Sequence, residues 1–232
     1  MVSSKKFKVD NFAFIGRTFD EYIKMFDLEV ESIEGKTILD CPSGADSFVA
    51  TAHELGASIT GVEVMYSHTP RELDRRCQLD YEDVAEQLGE KSDLFNWKFY
   101  GDVEGRKQFL NEAYETFIDD YPEGRKEGRY IYAELPKLPF ESDSFALVLS
   151  AHFLFLYGDR LDFEFHLETL RELTRVASEQ VRIFPLVGLD TEKYGRLEEI
   201  VYELTEDGHT VDLVQVPFEF QQGADEMLVI SV

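Results

Sequence analysis

"TILDCPSGADSF", residues 37–48, carries the reading of the fold. Ile38 and Leu39 make a short apolar run that ends on an acid, Asp40, and a tight turn follows through Cys41, Pro42, Ser43 and Gly44. A helix is expected to begin at Ala45 or Asp46 and to stop at Gly56, where a left-handed C-terminal residue is favoured. Strand, turn and helix form the usual setting of a nucleotide-binding loop, yet this one keeps a single glycine. A loop that cradles a diphosphate needs backbone N–H groups, glycines for close approach and an uncharged helix start. Pro42 has no N–H, and Asp46 puts a carboxylate where the phosphates would lie. The turn suits a phosphate-free ligand, or none.

Strand-like and helix-like stretches alternate on either side of it. "SITGVEV" (58–64), "GRYIYAEL" (128–135) and "QVRIFPLV" (180–187) read as the second, third and fifth strands, and "FALVLSAHFLFLY" (145–157) begins as the fourth, buried strand and continues into a loop. Helices are expected over 18–30, with Thr18 as N-cap, and over 46–55, 161–176 and 190–208. "HTVDLVQVPFEF" and "EMLVISV" close the chain as an antiparallel pair. The expected fold is α/β: a three-layer αβα sandwich around a seven-stranded, mostly parallel sheet with an antiparallel last strand. Without linkers or repeats, residues 1–232 read as a single domain. Within it lie an N-terminal helical segment (1–35) and a helical insertion between strands two and three (66–127). The aromatics of "DLFNWKFYGD" (93–102) suggest that the insertion caps a site, with core packing as the competing view.

Composition narrows the setting. Apolar residues at 44% and charged residues at 30% suit a globular chain of 232 residues with a substantial core. No apolar stretch is long enough to span a membrane, and "MVSSKKFKVDNF" has no apolar core of a signal peptide. Cys41 and Cys77 form neither a disulfide framework nor a metal-ligand cluster, so a cytoplasmic location is expected. Acids outnumber bases 47 to 23, a net charge of −24, which disfavours a nucleic-acid partner. Such a self-repelling surface suits a cell with high internal salt, where charges are screened over a few ångströms.

In open α/β sheets ligands bind outside the carboxyl ends of the strands. The first four expected strands end at Asp40, Glu63, Glu134 and Ser150, three of them acids. Glu63 follows Asp40 by 23 residues, near the roughly 20-residue spacing at which an acid meets ribose hydroxyls. A ligand with ribose, adenine and a cationic centre matches this set better than NAD, FAD or ATP.

At these residues the chain resembles a class I, Rossmann-like S-adenosylmethionine-dependent methyltransferase, from about residue 12 onward. "ILDCPSGADSF" is similar to the family's first motif, with Pro42 and Asp46 in place of two customary glycines, and "ITGVEV" to its second. "YAELPKLPFESDSFALVLSAHFLFLY" (132–157) is the strongest match, although Ala146 replaces an acid. The resemblance implies S-adenosylmethionine as cofactor and in-line transfer to a small-molecule acceptor, by a monomer or homodimer. Glu63 and Val64 would then meet the ribose, and Glu134 and the Leu135 backbone the adenine. Ser150, Ala151 and His152 would lie under the methionine portion, and the turn from Asp40 through Cys41, Pro42, Ser43 and Gly44 would face its amino-acid end. "SAHF" is not the Asn/Asp-Pro-Pro-aromatic motif of amide and base nitrogen methylation. "ASEQVR" lacks the Pro-Gly-Gly turn before the fifth strand, a local departure.

His152 is the candidate base, or else a structural imidazole. Tyr22 and Tyr157 are candidates for the acceptor pocket, and Arg17 for the methionine carboxylate. His53 and His166 lack partners at ligand spacing, so no metal is expected. Two other readings stay open: a non-catalytic protein that binds S-adenosylmethionine or S-adenosylhomocysteine, and a nicotinamide-dependent oxidoreductase, which Pro42 and Asp46 disfavour.

Overall fold

Strand β1 (Thr37–Asp40) lies in the interior of a seven-stranded sheet in the computed structural model, which describes residues 12–90 and 92–232. Its neighbours are β2 (Ser58–Val62) and β4 (Phe145–Ala151), both parallel to it. Outward from these come β3 (Tyr130–Ile131) on one side and β5 (Ala177–Phe184), β7 (Glu226–Ser231) and β6 (Thr210–Gln215) on the other. The order is β3-β2-β1-β4-β5-β7-β6, with β7 antiparallel to both of its neighbours. Side chains alternate across a strand, and here that alternation feeds two cores. Ile38, Leu147 and Leu149 pack on one face, and Leu39 and Val148 on the other.

Six helices of the described residues cover the sheet. They are α1 (Phe19–Met25), α2 (Phe48–Glu54), α3 (Pro70–Glu90), α4 (Val103–Glu127), α5 (Phe163–Val176) and α6 (Leu197–Glu206). Thr18 caps α1 as expected, in a reciprocal box with Glu21. Gly56 ends α2 at φ +90.

Several boundaries move for physical reasons. The expected helix 18–30 stops at Met25, and Asp27 turns the chain at φ +46. Helix α2 starts at Phe48, because the Asp46 carboxylate accepts the Phe48 N–H and so stands outside the helix as a cap. Strand β3 keeps two residues, after which Glu134 pairs with Lys137 across a turn. Residues 190–196 are a loop held by bonds from Gly188 N–H to the Glu192 carbonyl and Tyr194 N–H to the Leu186 carbonyl, so α6 is shorter than the 190–208 expected. Strand β5 follows α5 directly, and its register with β4 shifts between Phe145 and Leu147.

The N-terminal helical segment is only partly helical. Residues 1–11, including most of "MVSSKKFKVDNF", lie outside the described residues, and 12–17 carry no regular structure. The insertion forms α3 and α4, and its aromatics pack on the stretch that leads into β7. Phe95 stacks on Phe220 at 4.5 Å, Tyr100 meets Phe220 edge-on at 4.7 Å, and Phe99 meets Phe218 at 5.2 Å.

Candidate cofactor and acceptor pocket

A cavity of about 520 Å³ opens at the carboxyl ends of β1, β2 and β4, within the range of small-molecule sites. Cys41, Pro42, Ser43, Gly44, Glu63, Val64, Glu134, Leu135, Ala151 and His152 all line it, as do Arg17, Tyr22 and Tyr157. Asp40 and Ser150 are buried behind this wall, and the Ser150 hydroxyl has no hydrogen-bond partner among the described residues. Asp46, read from the sequence only as an obstacle to phosphate, is itself on the wall.

The turn after β1 is tightly pinned. Its Cys41–Pro42 peptide is cis. Gly44 sits at φ +61, the Tyr66 hydroxyl donates to its carbonyl at 2.8 Å, and its own N–H donates to Glu63 Oε2 at 3.3 Å. Glu63 Oε1 accepts the Met65 N–H at 3.3 Å. Burial raises the Glu63 pKa while these two amides hold it down. Each carboxylate oxygen thus has one backbone donor and lone-pair capacity left for a ligand hydroxyl.

Asp40 and Asp46 form a buried pair bridged by Tyr22, whose hydroxyl lies 3.1 Å from Asp40 Oδ1 and 3.0 Å from Asp46 Oδ2. Burial and then the Asp46 charge push Asp40 well above the usual carboxylate range, and burial lifts Asp46 to about 6. Both carboxyls therefore hold their protons to higher pH than exposed aspartates do. The Tyr22 hydroxyl is committed to the pair, so only the Tyr22 ring faces the cavity. The Cys41 thiol is pushed up by burial, then by Glu63 and Asp40, and stays protonated.

At the N-cap of α2 the Ser47 N–H donates to the Arg17 carbonyl at 3.0 Å, and the first α2 amide, Phe48 N–H, donates to Asp46 Oδ1 at 3.0 Å. The Asp46 carboxylate at this helix start is an unfavourable neighbour for a phosphate.

The opposite wall is the segment 12–17, whose part in the site has no periodic signal in the sequence. Phe12, Phe14 and Ile15 face the cavity. Ala13 N–H donates to the Tyr157 hydroxyl at 3.2 Å, Phe14 N–H to Asp80 Oδ2 at 2.7 Å, and an Arg76 guanidinium N–H to the Phe12 carbonyl at 3.3 Å. Gly16 crosses the turn so closely that a Cβ there would fall 1.9 Å from the Ala45 carbonyl oxygen.

His152 ends β4 at φ +52, and its backbone N–H donates to the Phe184 carbonyl at 2.6 Å. Its ring is half-buried, and Nδ1 has no partner among the described residues. Burial, then Arg17 and Arg106, hold its pKa well below the ordinary histidine value, so the imidazole is neutral. His166 is instead structural, with Nδ1 2.7 Å from the Asp162 carbonyl oxygen and Nε2 3.0 Å from that of Leu154.

Arg17 belongs to a buried charge cluster that the sequence did not reveal. Its Nε lies 3.5 Å from Glu21 Oε1, and Arg106 Nη1 lies 3.6 Å from the same oxygen. Tyr100 also donates to Oε1, while Glu21 Oε2 accepts from the Thr18 N–H and hydroxyl.

The strand order, with β7 alone reversed, and a pocket at the carboxyl ends of the parallel strands form the seven-stranded α/β arrangement that the sequence's resemblance to class I S-adenosylmethionine-dependent methyltransferases implies. The chain belongs to the same family as the uncharacterized protein MJ0045 of Methanocaldococcus jannaschii, with 37% identity over 217 residues, 93% of this chain and 94% of that one. No family model matches. Among solved structures, it is similar to a putative S-adenosyl-L-methionine-dependent methyltransferase of Methanococcus maripaludis, with a TM-score of 0.47 and 11% identity over 92% of this chain and 82% of that one. It is also similar to magnesium protoporphyrin IX methyltransferase of Synechocystis PCC 6803, with a TM-score of 0.45 and 10% identity over 92% and 90%.

Proposed function

We propose that this protein binds S-adenosylmethionine and transfers its methyl group in line to a small-molecule acceptor. The observation that carries the reading is the Asp46 carboxylate at the start of α2 together with two more wall carboxylates, Glu63 and Glu134. This set of acceptors disfavours a diphosphate and suits ribose hydroxyls, an adenine amino group and an ammonium. Glu63 would take the ribose hydroxyls with its remaining lone pairs. Glu134 and the Leu135 backbone would meet the adenine, and Arg17 stands where a methionine carboxylate would lie.

The sulfonium supplies the activated methyl when bound, so the protein's own work is positioning and exclusion of water. Phe12 packs on Phe153 at 5.7 Å and on Tyr157 at 4.8 Å, closing the cavity's outer side. His152, neutral and beside the site of transfer, would accept the acceptor's proton where one is lost. Calorimetric titration with S-adenosylmethionine, S-adenosylhomocysteine and NAD is the test. Binding of the two sulfur compounds but not NAD is expected, weakened about tenfold or more by Glu63→Ala. Binding of NAD alone, or of none of the three, would refute the reading.

A further inference from the structure

Behind the Arg17 wall of the pocket lies a buried cluster whose charge has the opposite sign to the rest of the molecule. Around Glu21, which is fully buried, stand two guanidiniums, those of Arg17 and Arg106. Arg106 is 1% exposed. One carboxylate cannot match both, and Glu21 is further committed to Tyr100 and to the Thr18 cap. The cluster therefore carries a net positive charge out of water, inside a chain of net charge −24.

Three buried nitrogens have no hydrogen-bond partner among the described residues: Arg106 Nε, Arg106 Nη1 and His152 Nδ1, and of these His152 lies on the cavity wall. Arg106, behind that wall, rests on aromatic faces, 4.8 Å from the Tyr100 centroid and 5.7 Å from that of Phe220. A buried positive charge without a matching anion is costly, and an anion bound at Arg17 and His152 offsets it. The remaining wall towards the mouth is apolar, formed by Phe12, Phe153, Leu156 and Phe165.

We infer that the acceptor is an amphipathic carboxylic acid, its carboxylate at His152 and sharing the Arg17 guanidinium with the cofactor's own carboxylate, with Arg106 behind them and its apolar body against Phe12, Phe153 and Phe165. This rests on the methyltransferase reading, which strengthens it. S-adenosylmethionine brings a sulfonium and an ammonium against one carboxylate, so a loaded pocket is more positive still. An acid answers the whole excess, whereas the cofactor's own carboxylate does not.

The test uses the full chain with and without saturating S-adenosylhomocysteine, titrated with three matched pairs: phenylacetate and phenylacetamide, 1-naphthoate and 1-naphthamide, octanoate and octanamide. At least one acid is expected to bind tenfold or more tighter than its amide. Arg106→Met should abolish that preference and leave S-adenosylhomocysteine affinity within about twofold. Glu21→Gln keeps the cap geometry and removes the competing negative charge, so it should widen the preference. Acids and amides binding alike in the wild type overturn the inference, as does a preference that survives Arg106→Met. Should Arg106→Met not fold, an unchanged preference in Glu21→Gln overturns it. An acid preference without any S-adenosylhomocysteine binding would sink the cofactor reading and leave the carboxylate site standing.

Discussion

Asp40 and Asp46 stand close enough for one phenolic hydroxyl, that of Tyr22, to reach both. Their raised pKa values mean that the folded protein binds more protons than the unfolded chain between the ordinary Asp value and the folded ones. Stability from this pair is present at low pH and is lost as pH rises through that window, about 4 to 6 for Asp46. Asp40→Asn removes the Asp40 share of this pH dependence. The variant should therefore gain on wild type as pH rises above the ordinary Asp value in urea titrations, and a pH-independent gap would refute the pairing. His152 gives a second readout at this scale. Its ring signals should titrate below pH 6.5 in NMR spectra. In Arg106→Met the midpoint should rise, yet stay depressed, because burial is the larger cause. Asp40, Glu63 and Glu134 were legible as strand-end acids. Which of them face the cavity was not, since spacing places a residue at an edge without aiming its side chain. Arg106 was illegible for another reason: in "VEGRKQ" it reads as part of a solvated helix face, and only α4 docking beside α1 buries it.

The elements that sequence periodicity reached are those whose signals are local. Thr18 capping α1, Gly56 ending α2, and the alternation of Ile38 with Leu39 all act within a few residues, and each stands in the fold as expected. The segment 12–17 had no such signal. It is held by single bonds to Tyr157, Asp80 and Arg76, contacts up to 144 residues away in sequence. The aromatics of 93–102 left cap and core packing both open for a related reason, because their partners Phe218 and Phe220 lie in the approach to β7. Gly16 is where the segment touches the turn most closely. Gly16→Ala should push residues 12–17 off that turn, costing about 2 kcal/mol. The measurable outcomes are a lower melting temperature, faster proteolysis within 12–17 and weaker S-adenosylhomocysteine binding. A variant as protease-resistant as wild type would show that the segment closes the pocket without bearing on that turn.

Across the whole molecule the acids are spread along the chain rather than gathered in a tail, and the −24 charge acts as self-repulsion of the compact state. Surface ion pairs such as Lys36–Glu179 and Lys126–Glu123 offset little of it, since 23 bases face 47 acids and exposed pairs contribute at most about 1 kcal/mol each. Added salt therefore weakens a small attraction and a larger repulsion together, and the repulsion decides the sign. The melting temperature should rise as KCl increases, most steeply below about 1 M, where the Debye length contracts from roughly 10 Å to 3 Å. Beyond that concentration little electrostatic gain remains to be screened. The buried Glu21, Arg17 and Arg106 cluster is shielded from mobile ions, so acid binding at the inner end of the pocket should depend on salt much less than stability does. A scanning calorimetry series in KCl checks the first statement, and titration of the same acids across the series checks the second. A melting temperature that falls from 0.1 to 1 M would mean that attraction among surface charges outweighs the net repulsion, against the count of charges.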